Sequence, residues 1–374
     1  MSSEKMTLVS ATAAGCQRGP VPFKDVAVVA GDAHRPSAEG DEDFDEAIAA
    51  LPSKPPTPLM RRMRLYHGGW FPEKWLPYIM AFQRRFEARR EEGDVIVASL
   101  PKCGTTWLKA LAFATAARGT YPPPPPPPAV DVGGDDGGDR RRLHPLLRLN
   151  PHDCVPFLES IYSSKEDEAK LAATPSPRLL STHLPYSVLP ASITGNPNCK
   201  IIYVCRQPKD MLISFWHFVN RDKSRDVPLS YVWESVRECT YFGSPVWDHI
   251  IGYWNASKAR PCNVLVLRYE DMKRDPARNV ERIAEFIGQP FSEAEREAGV
   301  VSRIVELCSF ETMKALGTRM AGSSQRVVSS EFPNDSFFRK GAIGDWVNHV
   351  TPDMAESLDK LLSERFDGSD FTFA

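Results

Sequence analysis

Pro101, Lys102, Cys103, Gly104, Thr105, Thr106 and Trp107 make up the stretch of this sequence best suited to chemistry on an anion. They stand between a short apolar run, residues 94–100, and a segment from 105 to 117 that is apolar on nearly every face. A turn in that place offers the unpaired N–H donors of a helix start, a dipole that favours negative charge, two threonine hydroxyls and one mobile lysine cation. Gly104 lets the backbone pass close to a bound group. The order is not that of a Walker A loop, in which Lys follows the second Gly and an adjacent Ser or Thr holds Mg²⁺, so no metal is expected. Taken alone, a Gly-Thr-Thr turn fits a plain helix cap equally well.

Further candidates follow along the chain. His183 comes after the run 178–181 and before Leu184 and Pro185, which puts an imidazole at the carboxyl end of a strand, a place for a general base. A single histidine is also a common structural residue. Arg206 closes the run 200–205, and Ser214 lies on the next segment. A guanidinium and a hydroxyl there can share one phosphate, while an Arg206 to Asp210 ion pair is the competing reading. Arg339, Lys340 and Gly341 join two cations to a residue that permits close approach, although basic triplets are often solvated surface. Trp107 and Phe310 offer flat faces either to a heteroaromatic ring or to the core. Net charge is -2 over 374 residues, so no overall basic field draws in nucleic acid or a membrane. An anionic ligand must be held by a few placed cations, for which Lys102, Arg206, Arg339 and Lys340 are the candidates.

Taken together, these segments resemble the cytosolic sulfotransferase family. The turn 101–107 is similar to its phosphosulfate-binding loop, with Cys103 where a hydroxyl is usual. Residues 181–186 look like the segment with its catalytic base, 203–214 like its 3′-phosphate site, 307–313 like an adenine-contacting segment and 339–346 like its C-terminal phosphate-binding motif. The resemblance covers about residues 65–374, and the run from 344 to 371 is closest to the plant branch. It implies transfer of a sulfuryl group from 3′-phosphoadenosine 5′-phosphosulfate (PAPS), without metal, to the hydroxyl of a small acceptor such as a flavonoid, steroid, hormone or other phenol or alcohol. His183 and Lys102 would be catalytic. Around the cofactor it places Lys102, Cys103, Gly104, Thr105, Thr106, Trp107, Arg206, Ser214, Tyr241, Phe310, Arg339, Lys340 and Gly341. Tyr241 carries a one-residue offset, because Phe242 and not Tyr precedes Gly243. Cys103, beside Lys102, is expected to be a partly exposed thiol open to reaction. Residues 348–356 match the short dimer motif of mammalian members poorly, leaving a monomer or weak homodimer. Two rival readings are a P-loop kinase or NTPase and a nucleotide-binding protein without turnover.

The elements that must position these residues are legible as an alternation. Apolar runs at 94–100, 178–181, 200–205 and 263–267 suit buried strands, and 105–117, 208–219 and 271–287 read as helices, the last interrupted near Pro276. The expected fold is α/β: a single domain with a central parallel sheet flanked by helices and a P-loop-like phosphosulfate-binding turn. Hydrophobic content of 42% is ordinary for a packed core. Residues 1–58, rich in Ala, Gly, Ser, Pro and acids, read as a mostly disordered arm, with a short helix over 44–51 as the competing reading. The domain then spans 59–374, and residues 119–142, with seven consecutive prolines at 122–128, read as a loop insertion. Eight scattered cysteines without paired spacing suggest reduced thiols. No apolar leader or bilayer-length run is visible, so a cytoplasmic location is expected.

Overall fold

A computed structural model describes residues 20–28, 44–125, 143–221, 225–241, 243, 245–320, 323–327 and 330–373. A small antiparallel sheet comes first: β1 (Ser53–Lys54), β2 (Met63–Tyr66) and β3 (Gly69–Pro72), in that order across the sheet. The central sheet is made of β4 (Asp94–Ser99), β5 (Arg178–Thr182), β6 (Lys200–Cys205) and β7 (Val264–Arg268), ordered β5-β4-β6-β7. Every pairing in it is parallel, with Val97 opposite Ser181 on one side and Ile202 on the other. A two-stranded ribbon, β8 (Ser323–Val327) and β9 (Ser330–Pro333), completes the strands.

Parallel strands covered on both faces should be apolar throughout, and all six residues of β4 are buried. Their alternation divides the core. Ile96, Ala98, Leu180, Ile201 and Tyr203 enter one apolar cluster, whereas Val95, Val97, Leu179, Ile202 and Val204 enter the other. The helix Thr105–Ala116 packs its Leu108, Leu111 and Phe113 into the second cluster, and the helix Pro208–Val219 packs Met211, Leu212 and Phe215 into the first. The chain thus leaves neighbouring strands β4 and β6 for helices on opposite faces, so their carboxyl ends part. Such a switch point opens a cleft there. At the other end of the sheet Asp94 and Arg178 form a buried two-pronged ion pair at 2.8 and 2.7 Å, which fixes the β4–β5 register.

The remaining helix boundaries follow local chemistry. The span expected at 271–287 is two helices, Tyr269–Arg274 and Pro276–Phe286, because Pro276 at the first position begins a new helix under the Asp275 side-chain cap. Within the arm expected at 1–58, the helix Asp45–Ala49 places Phe44 and Ile48 in the core, and β1 pairs with β2. Residues 20–28 also pack, through buried Val26 and the ion pairs Lys24–Asp153 and Asp25–Arg148. The insertion expected at 119–142 falls largely outside the described residues, as do 1–19 and 29–43.

Candidate active site

The turn after β4 carries the strain that a tight anion-binding turn requires. Lys102 has φ 68° and Gly104 φ 99°, and a Cβ on Gly104 would lie 2.7 Å from the Tyr269 ring. Gly104 is therefore obligatory on two counts, backbone shape and space. Beyond it the helix Thr105–Ala116 begins, and its first residues, Thr105, Thr106 and Trp107, line the cleft. The two threonines divide their work: Thr105 Oγ1 bonds Ser99 Oγ at 2.6 Å, and Thr106 Oγ1 lies 3.0 Å from His152 Nε2.

One cavity brings together most of the residues singled out in the sequence. Lys102, Gly104, Thr105, Thr106, Trp107, His183, Arg206, Ser214, Phe310, Arg339, Lys340 and Gly341 all line it. Cys103 and Tyr241 do not. Cys103 is buried in the first core cluster, and burial pushes its thiol up to about 12, which corrects the expectation of an exposed reactive sulfur. Tyr241 is equally buried and its hydroxyl donates to the Pro101 carbonyl at 3.0 Å, so it braces the turn from below without lining the cavity. The competing position, Phe242, lies outside the described residues.

The cations gather round the turn. Lys102 Nζ sits 4.2 Å from the Phe218 ring centre, and burial, reinforced by Arg206, Arg221 and Arg339, pushes its ammonium down to about 7. Arg206 donates to the Lys102 carbonyl at 3.4 Å and to the Ala342 carbonyl at 2.7 Å, tying the turn to the C-terminal loop. Its contact with Asp210 is a long 4.0 Å; that carboxylate instead accepts the N–H groups of Gly344 and Trp346. Arg206 Nε is buried without a partner among the described residues. Arg339 and Lys340 both pair with buried Asp345, at 2.6 and 2.7 Å. Against the upward push of burial, hydrogen bonds from these two cations hold the Asp345 carboxyl well below the usual range. Gly341 again has no room for a side chain, since a Cβ there would meet the Phe310 ring at 2.6 Å.

His183 follows β5. Its Nδ1 lies 2.7 Å from the Ser99 carbonyl, which can only accept, so Nδ1 carries the proton and Nε2 is left with a lone pair. The main chain around it is pinned by Glu159, which accepts the His183 N–H at 2.8 Å, and by His249, whose Nε2 donates to the His183 carbonyl at 3.2 Å. Burial, with Lys109, His249 and Lys102 adding to it and the Ser99 bond opposing it, pushes the imidazole down to about 3, so the ring is neutral.

Several site residues escaped the sequence reading. Phe157 packs against His183 at 4.5 Å between ring centres, and His152 packs on Phe157 at 5.6 Å. Phe337 and Trp75 join them along the cavity wall. Tyr269 packs edge-on against Trp107 at 5.7 Å and donates to the Gly341 carbonyl at 3.1 Å. Only His152 had a local signal, the Asn150-Pro151 helix start, in which the Asn150 side chain accepts the His152 N–H.

A parallel sheet whose cleft sets a neutral imidazole in one cavity with a cation-rich helix start defines an enzyme that transfers a group from an anionic donor. Comparison with known proteins makes this definite. The sulfotransferase domain model matches residues 92–370. Cytosolic sulfotransferase 1 of Arabidopsis thaliana is 37% identical over 353 residues, 92% of this chain and 100% of that protein. The crystal structure of a sulphotransferase from the same plant is 34% identical with a TM-score of 0.65, covering 91% of this chain and 99% of that one. A mouse sulfotransferase complexed with 3′-phosphoadenosine 5′-phosphate (PAP) shares the fold at 24% identity and a TM-score of 0.58, covering 82% and 96%. The chain belongs to the sulfotransferase family, and it is a PAPS-dependent sulfotransferase. Among the described residues no helix is long and apolar enough to cross a membrane.

Proposed function

We propose that the chain moves the sulfuryl group of PAPS to the hydroxyl of a small organic acceptor, with His183 as general base. The observation that carries this reading is the tautomer of His183: with Nδ1–H committed to the Ser99 carbonyl, Nε2 is an acceptor in the same cavity as the Lys102 turn. The cavity fits such a donor. Arg206 keeps a buried Nε–H unpartnered, Lys102 is short of counter-charge, and the two crowded glycines leave backbone surface open to close approach.

When bound, PAPS supplies an activated sulfuryl group next to a phosphate that departs with the nucleotide. Lys102, Thr106 and the first N–H groups of the helix Thr105–Ala116 would hold its 5′ end, Arg206 and Ser214 the 3′-phosphate with Arg339 and Lys340 alongside, and Trp107 and Phe310 the adenine. His183 Nε2 accepts the proton of the acceptor hydroxyl. Lys102 provides positive charge where the departing oxygen becomes more negative, so catalysis is positioning plus charge stabilisation. The bound anion also favours imidazolium, raising His183 from its low resting value toward working pH. Phe157 beside His183, with Phe218, Phe337 and Trp75 elsewhere on the lining, gives the cavity an aromatic character suited to flat apolar acceptors carrying a phenol or alcohol. The test is incubation with radiolabelled PAPS and a panel of phenols, flavonoids, steroids and hydroxy acids. Labelled product from the flat acceptors is expected; label going to none of them contradicts the proposal.

A further inference from the structure

The cavity holds a second imidazole, for which the proton transfer to His183 has no use. His152 is buried on the short helix Pro151–Cys154, and its two nitrogens face two residues of one helix. Nε2 lies 3.0 Å from Thr106 Oγ1, and Nδ1 lies 2.9 Å from Lys109 Nζ. Lys109 is 0% exposed, and its Nζ sits 3.3 Å from the centre of the Phe157 ring. Among the described residues no carboxylate reaches it within ion-pair distance, and burial pushes its amine well below the usual lysine range, with Glu159 the main opposing charge. A methionine of the same length would fill this space without an amine to desolvate, so packing alone does not account for the lysine.

We propose that Lys109 and His152 are positioning residues that aim the Thr106 hydroxyl at the phosphosulfate end of PAPS. This rests on PAPS binding in this cavity. Whether ammonium or amine, Lys109 Nζ keeps hydrogens to donate, and donation across the 2.9 Å contact to His152 Nδ1 leaves the single ring proton on Nε2. Nε2–H then donates to Thr106 Oγ1. With its acceptor side taken, the Thr106 hydroxyl keeps its hydrogen for the cavity, where an anion at the helix start receives a charge-assisted bond. The chain of donation runs one way, from Lys109 through His152 and Thr106 to the ligand. Without the Lys109 donor the ring proton can move to Nδ1, Nε2 becomes an acceptor, and the Thr106 hydroxyl turns back to His152.

The direct test is nitrogen-15 NMR of the unliganded full chain labelled at histidine. Wild-type His152 is expected in the Nε2–H form, and Lys109→Met should shift it to Nδ1–H. An Nδ1–H ring in the wild type overturns the proposal whether or not the chain binds PAP. Kinetics supply a second readout. Lys109→Met and Thr106→Val should each lower kcat/KM for PAPS about thirtyfold, and the double variant should fall no further than either alone. Additive losses would overturn the proposal. Should Lys109→Met not fold, Thr106→Ser decides: retaining the hydroxyl, it should stay within about threefold of wild type, and a loss as large as that of Thr106→Val counts against the mechanism. Titration of wild type with PAP reports separately on the cofactor reading.

Discussion

His183 Nδ1 and the carbonyl oxygen of Ser99 lie 2.7 Å apart, and Ser99 is the last residue of β4. The strand that delivers the Lys102 turn thus also orients the imidazole. The Ser99 side chain extends the coupling, since its hydroxyl holds Thr105 at the start of the helix. Imidazole and helix start are therefore referenced to one residue at a rigid sheet edge, which is where preorganised geometry is best maintained.

Lys102 gives the site a pH dependence of known sign. In the free protein its ammonium is pushed down to about 7, and a bound phosphate group raises it. Binding is thus favoured in full below about pH 7 and weakens as pH rises through that value, with proton uptake on binding. Calorimetric titration of PAP in buffers of different ionisation enthalpy should show that uptake near pH 8. Lys102→Met should flatten it.

The proposed 3′-phosphate role of Arg206 predicts a difference between nucleotides. With its Nε–H unpartnered among the described residues and its guanidinium tied to the Lys102 and Ala342 carbonyls, Arg206→Ala should weaken PAP about tenfold to a hundredfold. Adenosine 5′-phosphate, which lacks the 3′-phosphate, should lose much less. Equal losses for the two ligands, measured by competition binding, would move the 3′-phosphate elsewhere.

Gly104→Ala should be severe for its size. A methyl there needs φ near 99° and meets the Tyr269 ring at 2.7 Å, so the turn must shift. A stability loss of at least about 1 kcal/mol and a large drop in PAP affinity are expected, read by thermal melts with and without PAP.

Cys103 should be inert in the folded chain. It is 1% exposed with its thiol pushed up to about 12, while Cys262 is exposed. Mass spectrometry after brief alkylation at neutral pH should find label on Cys262 and none on Cys103. Denaturation should equalise them.

Much of this arrangement could be read in advance, for physical reasons. Strands of a parallel sheet are covered on both faces, so 94–99, 178–182, 200–205 and 264–268 stand out as apolar runs. The helix Pro208–Val219 is marked by its leading proline, and the split at Pro276 by the missing N–H. The turn 101–107 is local, so its shape follows from neighbours in sequence. What stayed hidden depends on tertiary packing. The β2–β3 hairpin turns through His67 and Gly68, both at positive φ, a signal that the aromatic run around it obscured. Burial of Cys103 and Tyr241 beneath the turn is set by helices distant in sequence. His152, Phe157 and Tyr269 each come singly from a separate element, and Lys109, one turn beyond Thr106, looks like one more residue of a buried helix.

The central claim is that His183 Nε2 takes the acceptor proton, and single-turnover sulfuryl transfer by wild type and His183→Gln, alongside PAP titration of both, tests it most directly. The variant should transfer at least about a hundredfold more slowly, with PAP affinity within about twofold of wild type. Near-normal transfer by His183→Gln would contradict the claim.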